Sequence, residues 1–299
     1  MTPPRQICAR QTFEITSRAI ERAFFFAPTG IITQLFMFLL GFYAKQRGII
    51  IYGVVLMSNH YHLLGLDVRG NLPDFVRDLN SIFARALNVH HHRDDKIWSG
   101  DGYHLVRPIN PEDVMHRMVY LAANPAAAGL VNRAEEYPGA VVTPGSIGVP
   151  TSYRRPDFFF SKDGPWPEQV EVTFAVPGCM EMTRGDYIAA FSSALKEREW
   201  EHRRERRSES KGLLGADACR AVSPADRPKS GEKHGRRKFE VACKDECERS
   251  ASIRRMKAFR EAYLVALEEW REDISGVVFP HGSWWVRRYA GAAVRPAPD

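Results

Sequence analysis

The chain has 299 residues, 44% of them hydrophobic and 26% charged, with a formal net charge of +6. These values exclude a fibrous or wholly disordered chain, and the length allows one large domain or a domain with an extension. The positive balance points toward an anionic partner, nucleic acid first.

The first half alternates between two periodicities. Residues 10–18, "RQTFEITSR", read as a short alternating strand. Residues 31–47 form a helix that is apolar nearly all round, and Gly48 ends it. Its most apolar window, 30–44, falls short of the roughly 20 residues a membrane span needs, and Lys45 and Arg47 close it. A buried helix is expected, with no membrane partner. The polar start, carrying Arg5 and Arg10, reads as no secretory signal.

"IIIYGVVLM" (49–57) is a strand buried on both faces, Ser58-Asn59 a tight turn, and 60–68 the returning strand. A long helix follows over 72–91, with Phe75, Leu79, Ile82, Phe83, Ala86 and Leu87 at helical spacing. Residues 103–109 are a strand. Asn110 as N-cap, Pro111 at the first helical position, and Glu112 and Asp113 in the first turn open another helix. The order β-α-β-β-α-β plus a further helix predicts an α+β fold with a ferredoxin-like, split-βαβ antiparallel sheet.

Beyond about residue 150 the pattern weakens into a mainly helical C-terminal extension, 151–299. Thr183 and Asp186 resemble a capping box opening a helix to about Arg204. Residues 208–238, rich in Ser, Gly, Lys and Pro, read as a disordered linker. A last amphipathic helix is expected over 253–270, with Met256, Phe259, Tyr263 and Leu267 on one stripe. The five cysteines include no CxxC pair, which excludes a zinc ribbon. Cys243 and Cys247 read as chance neighbours, and the sparse usage fits a reducing, cytoplasmic setting.

"LMSNHYHLLGL" (56–66) carries the first chemical signal. On a strand, His60 and His62 project to the same face with α-carbons roughly 6.6 Å apart, a spacing at which two imidazoles can share one metal ion. Tyr61 and Leu63 then point to the other face, where a helix can cover them. The plainer alternative is two surface histidines at a strand end. The hydrolytic zinc pattern HxHxDH fails, because Leu64 and Gly65 stand where it needs Asp and His.

The second half of the constellation lies on the helix opened by Asn110. Tyr120 and Asn124 are four residues apart and share a face if the helix stays regular. A phenol is a poor nucleophile unless the attacked centre is activated, which a metal beside it would do. Pro125 biases Asn124 away from helical angles, so Asn124 is expected at the helix end.

"YGVVLMSNHYHLL", "LPDFVRDLNSIFARALN", "IWSGDGY" and "VYLAANPAAAGLV" stand in the order found in REP-associated tyrosine transposases, of the single-tyrosine HUH superfamily. The chain resembles that family over about residues 10–150, with Tyr61 as the middle residue of His-hydrophobic-His. The resemblance implies a catalytic domain over 1–150, a divalent ion (Mg²⁺ or Mn²⁺) on His60 and His62, and Tyr120 as nucleophile. Asn124 matches the helix residue that can complete metal binding. It also implies cleavage of single-stranded or hairpin DNA through a 5′-phosphotyrosine, followed by strand transfer; homodimers are common in that family.

Several residues carry two readings. Tyr103 is a rival nucleophile, set off the helix that aligns Tyr120 with Asn124. His90, His91 and His92 read as a solvated helix cap, and Trp98 as a packing residue. Arg77 and Arg85, eight apart on the long helix, are candidate phosphate contacts, as are Arg287 and Arg288 beside the tryptophans of "SWWVRRY". The same tail reads equally as a dock that buries Trp284 or Trp285. The competing functions are a domesticated protein that binds the DNA repeats without mobilising them, and an RNA-binding ferredoxin-like sheet. The latter would want exposed aromatics where "IIIYGVVLM" offers aliphatics.

Overall fold

The computed structural model describes residues 3–100, 102–161, 163–228 and 240–297. Strand β1 (Gln11–Arg18) alternates faces and leads through a longer connection, 19–29, which holds a single 3-10 turn (Ile20–Arg22), to helix α1 (Gly30–Arg47). Thr29 caps that helix by accepting from the Ile32 N–H. Gly48 ends it in the left-handed region at φ 72°, where any side chain would be strained. Strands β2 (Ile49–Met57) and β3 (His60–Asp67) follow as a hairpin, then α2 (Leu72–His91), β4 (His104–Pro108) and α3 (Pro111–Ala127). Asn110 and Asp113 form the reciprocal capping box that starts α3.

These strands pair in the order β2-β3-β1-β4, all antiparallel. That is the split-βαβ, ferredoxin-like order expected from the sequence, and it puts β3 and β1 at the centre. His60 stands opposite Arg18 and Met57, and His62 opposite Thr16 and Val55. Helices α1 and α2 cover one face of the sheet: the Tyr61 ring packs 5.2 Å from Phe36, and its hydroxyl donates to Asn80 at 2.8 Å. Helix α3 crosses the other face. It comes close because β2 has Gly53 beneath it, where an added Cβ would lie 2.7 Å from Met118 Sδ.

The hydrophobic core continues past residue 150. A hairpin of β5 (Thr151–Arg154) and β6 (Gln169–Val172) lies against α1 in a stretch that reads as loop, because four-residue strands are too short to establish a period. Helix α4 (Arg184–Ser208) starts at the Thr183 cap and buries Tyr187, Phe191 and Leu195 in the same cluster as α1.

The segment read as a disordered linker differs from that expectation over its described part. It contains α5 (Ala216–Arg220), and Leu214, Gly215 and Asp226 make backbone hydrogen bonds to Gly129, Leu130 and Phe24. Polar composition had hidden these pairings; residues 229–238 lie outside the described residues.

Strand β7 (Val241–Ala242) adds to β4 in parallel, making the main sheet five-stranded among the described residues. Helix α6 (Glu246–Arg271) begins about two turns before the expected start, because Asp245 caps it through the Glu248 N–H. The apolar stripe marked only the packed part. Strand β8 (Val278–Phe279), helix α7 (Trp284–Tyr289) and strand β9 (Ala293–Val294) close the chain. Trp284 is buried in the main core while Trp285 is exposed, and the Ile7 N–H bonds the Gly282 carbonyl at 3.0 Å. The tail is docked. Among the described residues no helix is long and apolar enough to cross a membrane.

Candidate active site

The strand period sets His60 and His62 on the face that α3 covers. Their ring centroids are 5.1 Å apart, and the Tyr120 ring stands edge-on to His62 at 5.4 Å. Residues that are 58 apart in sequence, His62 and Tyr120, thus meet across the sheet surface. Tyr120 is 40% exposed, so the residue is partly open to solvent.

Each imidazole has its tautomer set by a neighbour. The Asn59 amide donates from Nδ2 to the Arg22 carbonyl at 3.1 Å, which fixes Oδ1 as the atom 2.6 Å from His60 Nδ1. An amide oxygen only accepts, so His60 Nδ1 carries the proton. His62 Nδ1 lies 3.1 Å from Glu14 Oε1 and 2.9 Å from Thr16 Oγ1. Burial opposes charge on Glu14, yet the hydrogen bonds from His62 and Arg117 hold its carboxyl below the usual carboxylate range. As an ionised acceptor it leaves His62 Nδ1 as donor. In the neutral form of each ring, Nε2 is then the nitrogen that keeps its lone pair.

Burial, reinforced by the neighbouring His62, Arg18 and Arg22, also pushes His60 well below the ordinary histidine range. A neutral imidazole whose other nitrogen donates to a fixed oxygen is the form that ligates metals. Two imidazoles on one ion at bond lengths of about 2.1 Å put their centroids about 5 Å apart, so this pair fits. Among the described residues no third His, Cys, Asp or Glu joins them, and an ion here would take its remaining ligands from amide, water or phosphate oxygens.

Asn124 is inside α3 and not at its end. The helix continues to Ala127 with Pro125 in its last turn, where Pro125 and Ala126 are buried and packing outweighs the one lost N–H bond. Asn124 Nδ2 donates to the Tyr120 carbonyl at 3.3 Å, which leaves Oδ1 as its available acceptor.

Sequence reasoning missed the residues beneath the tyrosine. Arg117 lies with its guanidinium 4.2 Å from the Tyr120 ring centroid and forms a two-point ion pair with Glu14, one bond of which runs from Nη2 to Oε1 at 2.6 Å. A glutamate between Phe13 and Ile15 was the one visible signal, a charge on a strand both of whose faces are covered.

Other candidates fall elsewhere. Tyr103 stacks under Arg5 at 4.2 Å, and burial raises its hydroxyl pKa. Trp98 packs on Phe26, Tyr61 and Phe83 and donates to the Asn80 carbonyl. His92 is the left-handed C-cap of α2, and burial lowers His90 and His91, so those two are not the cationic cap expected.

Arg77 and Arg85 lie on α2, across the sheet from Tyr120. Arg77 is bound by Asp74, Asp78 and the Tyr289 hydroxyl, while Arg85 sits 6.0 Å over Phe159. Arg288 reaches Asp74 at 3.6 Å, and Arg287 lines a cavity of about 210 Å³ with Arg69 and Arg295. The structure does not bring these four arginines to the histidine pair.

No protein-family model matches the sequence, and no curated protein matches it. Among solved structures the chain is similar to a REP-associated tyrosine transposase bound to a REP hairpin, at 17% identity and a TM-score of 0.41, over 47% of this chain and 81% of the other. It is also similar to a candidate transposase from Deinococcus radiodurans R1, at 16% identity and a TM-score of 0.29, over 40% of this chain and 95% of that one.

Proposed function

We propose that this chain cleaves and rejoins single-stranded DNA through a covalent 5′-phosphotyrosine on Tyr120, with a divalent ion, Mg²⁺ or Mn²⁺, held by His60 and His62. The observation that carries this reading is the meeting of Tyr120 with the His60–His62 pair across the sheet face. An ion on the two Nε2 atoms would withdraw electron density from a phosphate placed beside it. Asn124 Oδ1, one helical turn from Tyr120, is the proposed third protein ligand.

The Tyr120 phenolic oxygen forms the new bond to phosphorus, and the bond from phosphorus to the 3′ oxygen breaks. The phenol releases its proton to solvent, and the departing 3′ oxygen takes one up as a hydroxyl. One bond is exchanged for another of the same kind, so no nucleotide cofactor is consumed. The 3′-hydroxyl of a second DNA end then attacks the phosphotyrosine and restores Tyr120. Hairpin or palindromic elements are the proposed substrates.

The test uses hairpin oligonucleotides built from the palindromic repeats nearest the coding sequence, labelled at the 3′ end, since that fragment stays on the protein. Wild type with Mn²⁺ is expected to give a labelled adduct that survives denaturation, and chelation should abolish it. Tyr120→Phe should bind the DNA and form no adduct, whereas Tyr103→Phe should behave as wild type. DNA binding by wild type with no adduct under any metal condition would replace this reading with a non-mobilising repeat binder.

A further inference from the structure

Glu14 is the least expected residue in the centre of the sheet. It stands on β1, is 1% exposed, and its one carboxylate touches both halves of the site. Oε1 meets His62 Nδ1 at 3.1 Å and Arg117 Nη2 at 2.6 Å, while Oε2 meets Arg117 Nε. A buried ion pair is a weak device for stability, because a well-packed apolar pair of the same volume often does as well or better. What the pair does here is geometric. Arg117 precedes Tyr120 by one turn of α3 and lies under its ring at 4.2 Å.

We propose that Glu14 is a positioning residue that registers the nucleophile to the metal site. Through His62 it presents Nε2 as the metal-facing nitrogen, and through Arg117 it holds the Tyr120 ring against that same imidazole. This rests on the proposed function above. The alternative, a carboxylate that serves only to neutralise Arg117, would leave His62 and the tyrosine independent of each other.

The two roles separate in experiment. Outer-shell partners of metal-binding histidines typically contribute ten- to a hundredfold in metal affinity. Glu14→Gln is therefore expected to weaken Mn²⁺ binding to the isolated protein by about tenfold or more, read by electron paramagnetic resonance. It should also slow adduct formation at saturating Mn²⁺, where lost affinity no longer matters. Arg117→Met should slow the adduct at saturating Mn²⁺ while changing Mn²⁺ affinity less than Glu14→Gln does.

Should Glu14→Gln fail to fold once the carboxylate beside Arg117 is gone, the paired Glu14→Leu, Arg117→Met variant removes both charges and carries the same test. Two-bond ¹H–¹⁵N correlation reads the His62 tautomer without metal or DNA, and is expected to find Nδ1–H in wild type and a mixed population in that paired variant. A folded Glu14 variant with wild-type Mn²⁺ affinity, or with a wild-type adduct rate at saturating Mn²⁺, would overturn the proposal while leaving the proposed function standing. Wild type that forms no adduct, together with the expected loss of the single His62 tautomer in the paired variant, would sink the function and keep the positioning.

Discussion

His60 is neutral before any ion reaches it, and that has a measurable cost in acid. Burial holds its pKa well below the usual histidine range in the native state, whereas the unfolded chain binds a proton below about pH 6.5. The group's contribution to stability is thus fully present above that pH and is lost as pH falls through the window below it. The urea midpoint of wild type should fall between pH 7 and pH 5, and fall less for His60→Gln; equal slopes would mean that His60 is not held neutral. Glu14 acts in a lower window. Its folded pKa is depressed, so its contribution is present above about pH 4.3 and fades as pH drops further. The stability gap between wild type and Glu14→Gln should accordingly narrow between pH 5 and pH 3.

At the level of elements, the position of α3 decides whether Tyr120 reaches His62. That helix is seated on Gly53 of β2, where a methyl group would stand 2.7 Å from Met118 Sδ and 2.9 Å from Val142 Cγ1. Packed interiors yield little to such crowding, and overpacking costs about 1–3 kcal/mol. Gly53→Ala should therefore lose stability of that order. Since Met118 lies two residues from the nucleophile, it should also lower the adduct rate more than a surface Gly→Ala change, such as at Gly145, does. Unchanged denaturation and unchanged adduct formation together would show that the close approach is dispensable. The cap of α3 sets where that helix begins. Asn110 accepts from the Asp113 N–H at 2.9 Å, a bond whose loss in Asn110→Ala should cost about 1 kcal/mol.

Across the whole molecule, the chain's two ends meet. Ile7 bonds to Gly282, Trp284 enters the main core, and Phe279 is fully buried in a small cluster with Ala266 and Val286. Removing residues 277–299 exposes that surface, and losses of about 3–5 kcal/mol accompany the deletion of a buried large aromatic. Such a truncation should unfold at markedly lower urea. Deleting 211–228 should be destabilising as well, because it strips the pairings to Gly129, Leu130 and Phe24. Removing an arginine that neutralises a phosphate lowers the slope of log affinity against log salt by roughly 0.7 for single strands. Arg287→Ala, Arg288→Ala is expected to leave that slope unchanged, since α7 sits beside α2, across the sheet from Tyr120. A shallower slope at normal stability would place the tail in the DNA site.

What the sequence determined by itself is what local physics can write. Strand alternation put His60 and His62 on one face, the Asn110 and Thr183 caps marked two helix starts, and four-residue spacing aligned Tyr120 with Asn124. The order of those elements then led to the split-βαβ sheet. Each of these signals spans a turn or a strand, so no long-range knowledge was needed. Tertiary structure alone decided the rest. Glu14, His62 and Arg117 are joined over separations of 48 and 103 residues, and no periodicity reports such a pairing. The same limit hid β5, β6 and β7, whose few residues pair only because a larger surface is waiting for them. It also hid that Arg77 and Arg85 belong to the opposite layer, since a helix's sequence says which residues share its face but not which side of the sheet that helix will cover.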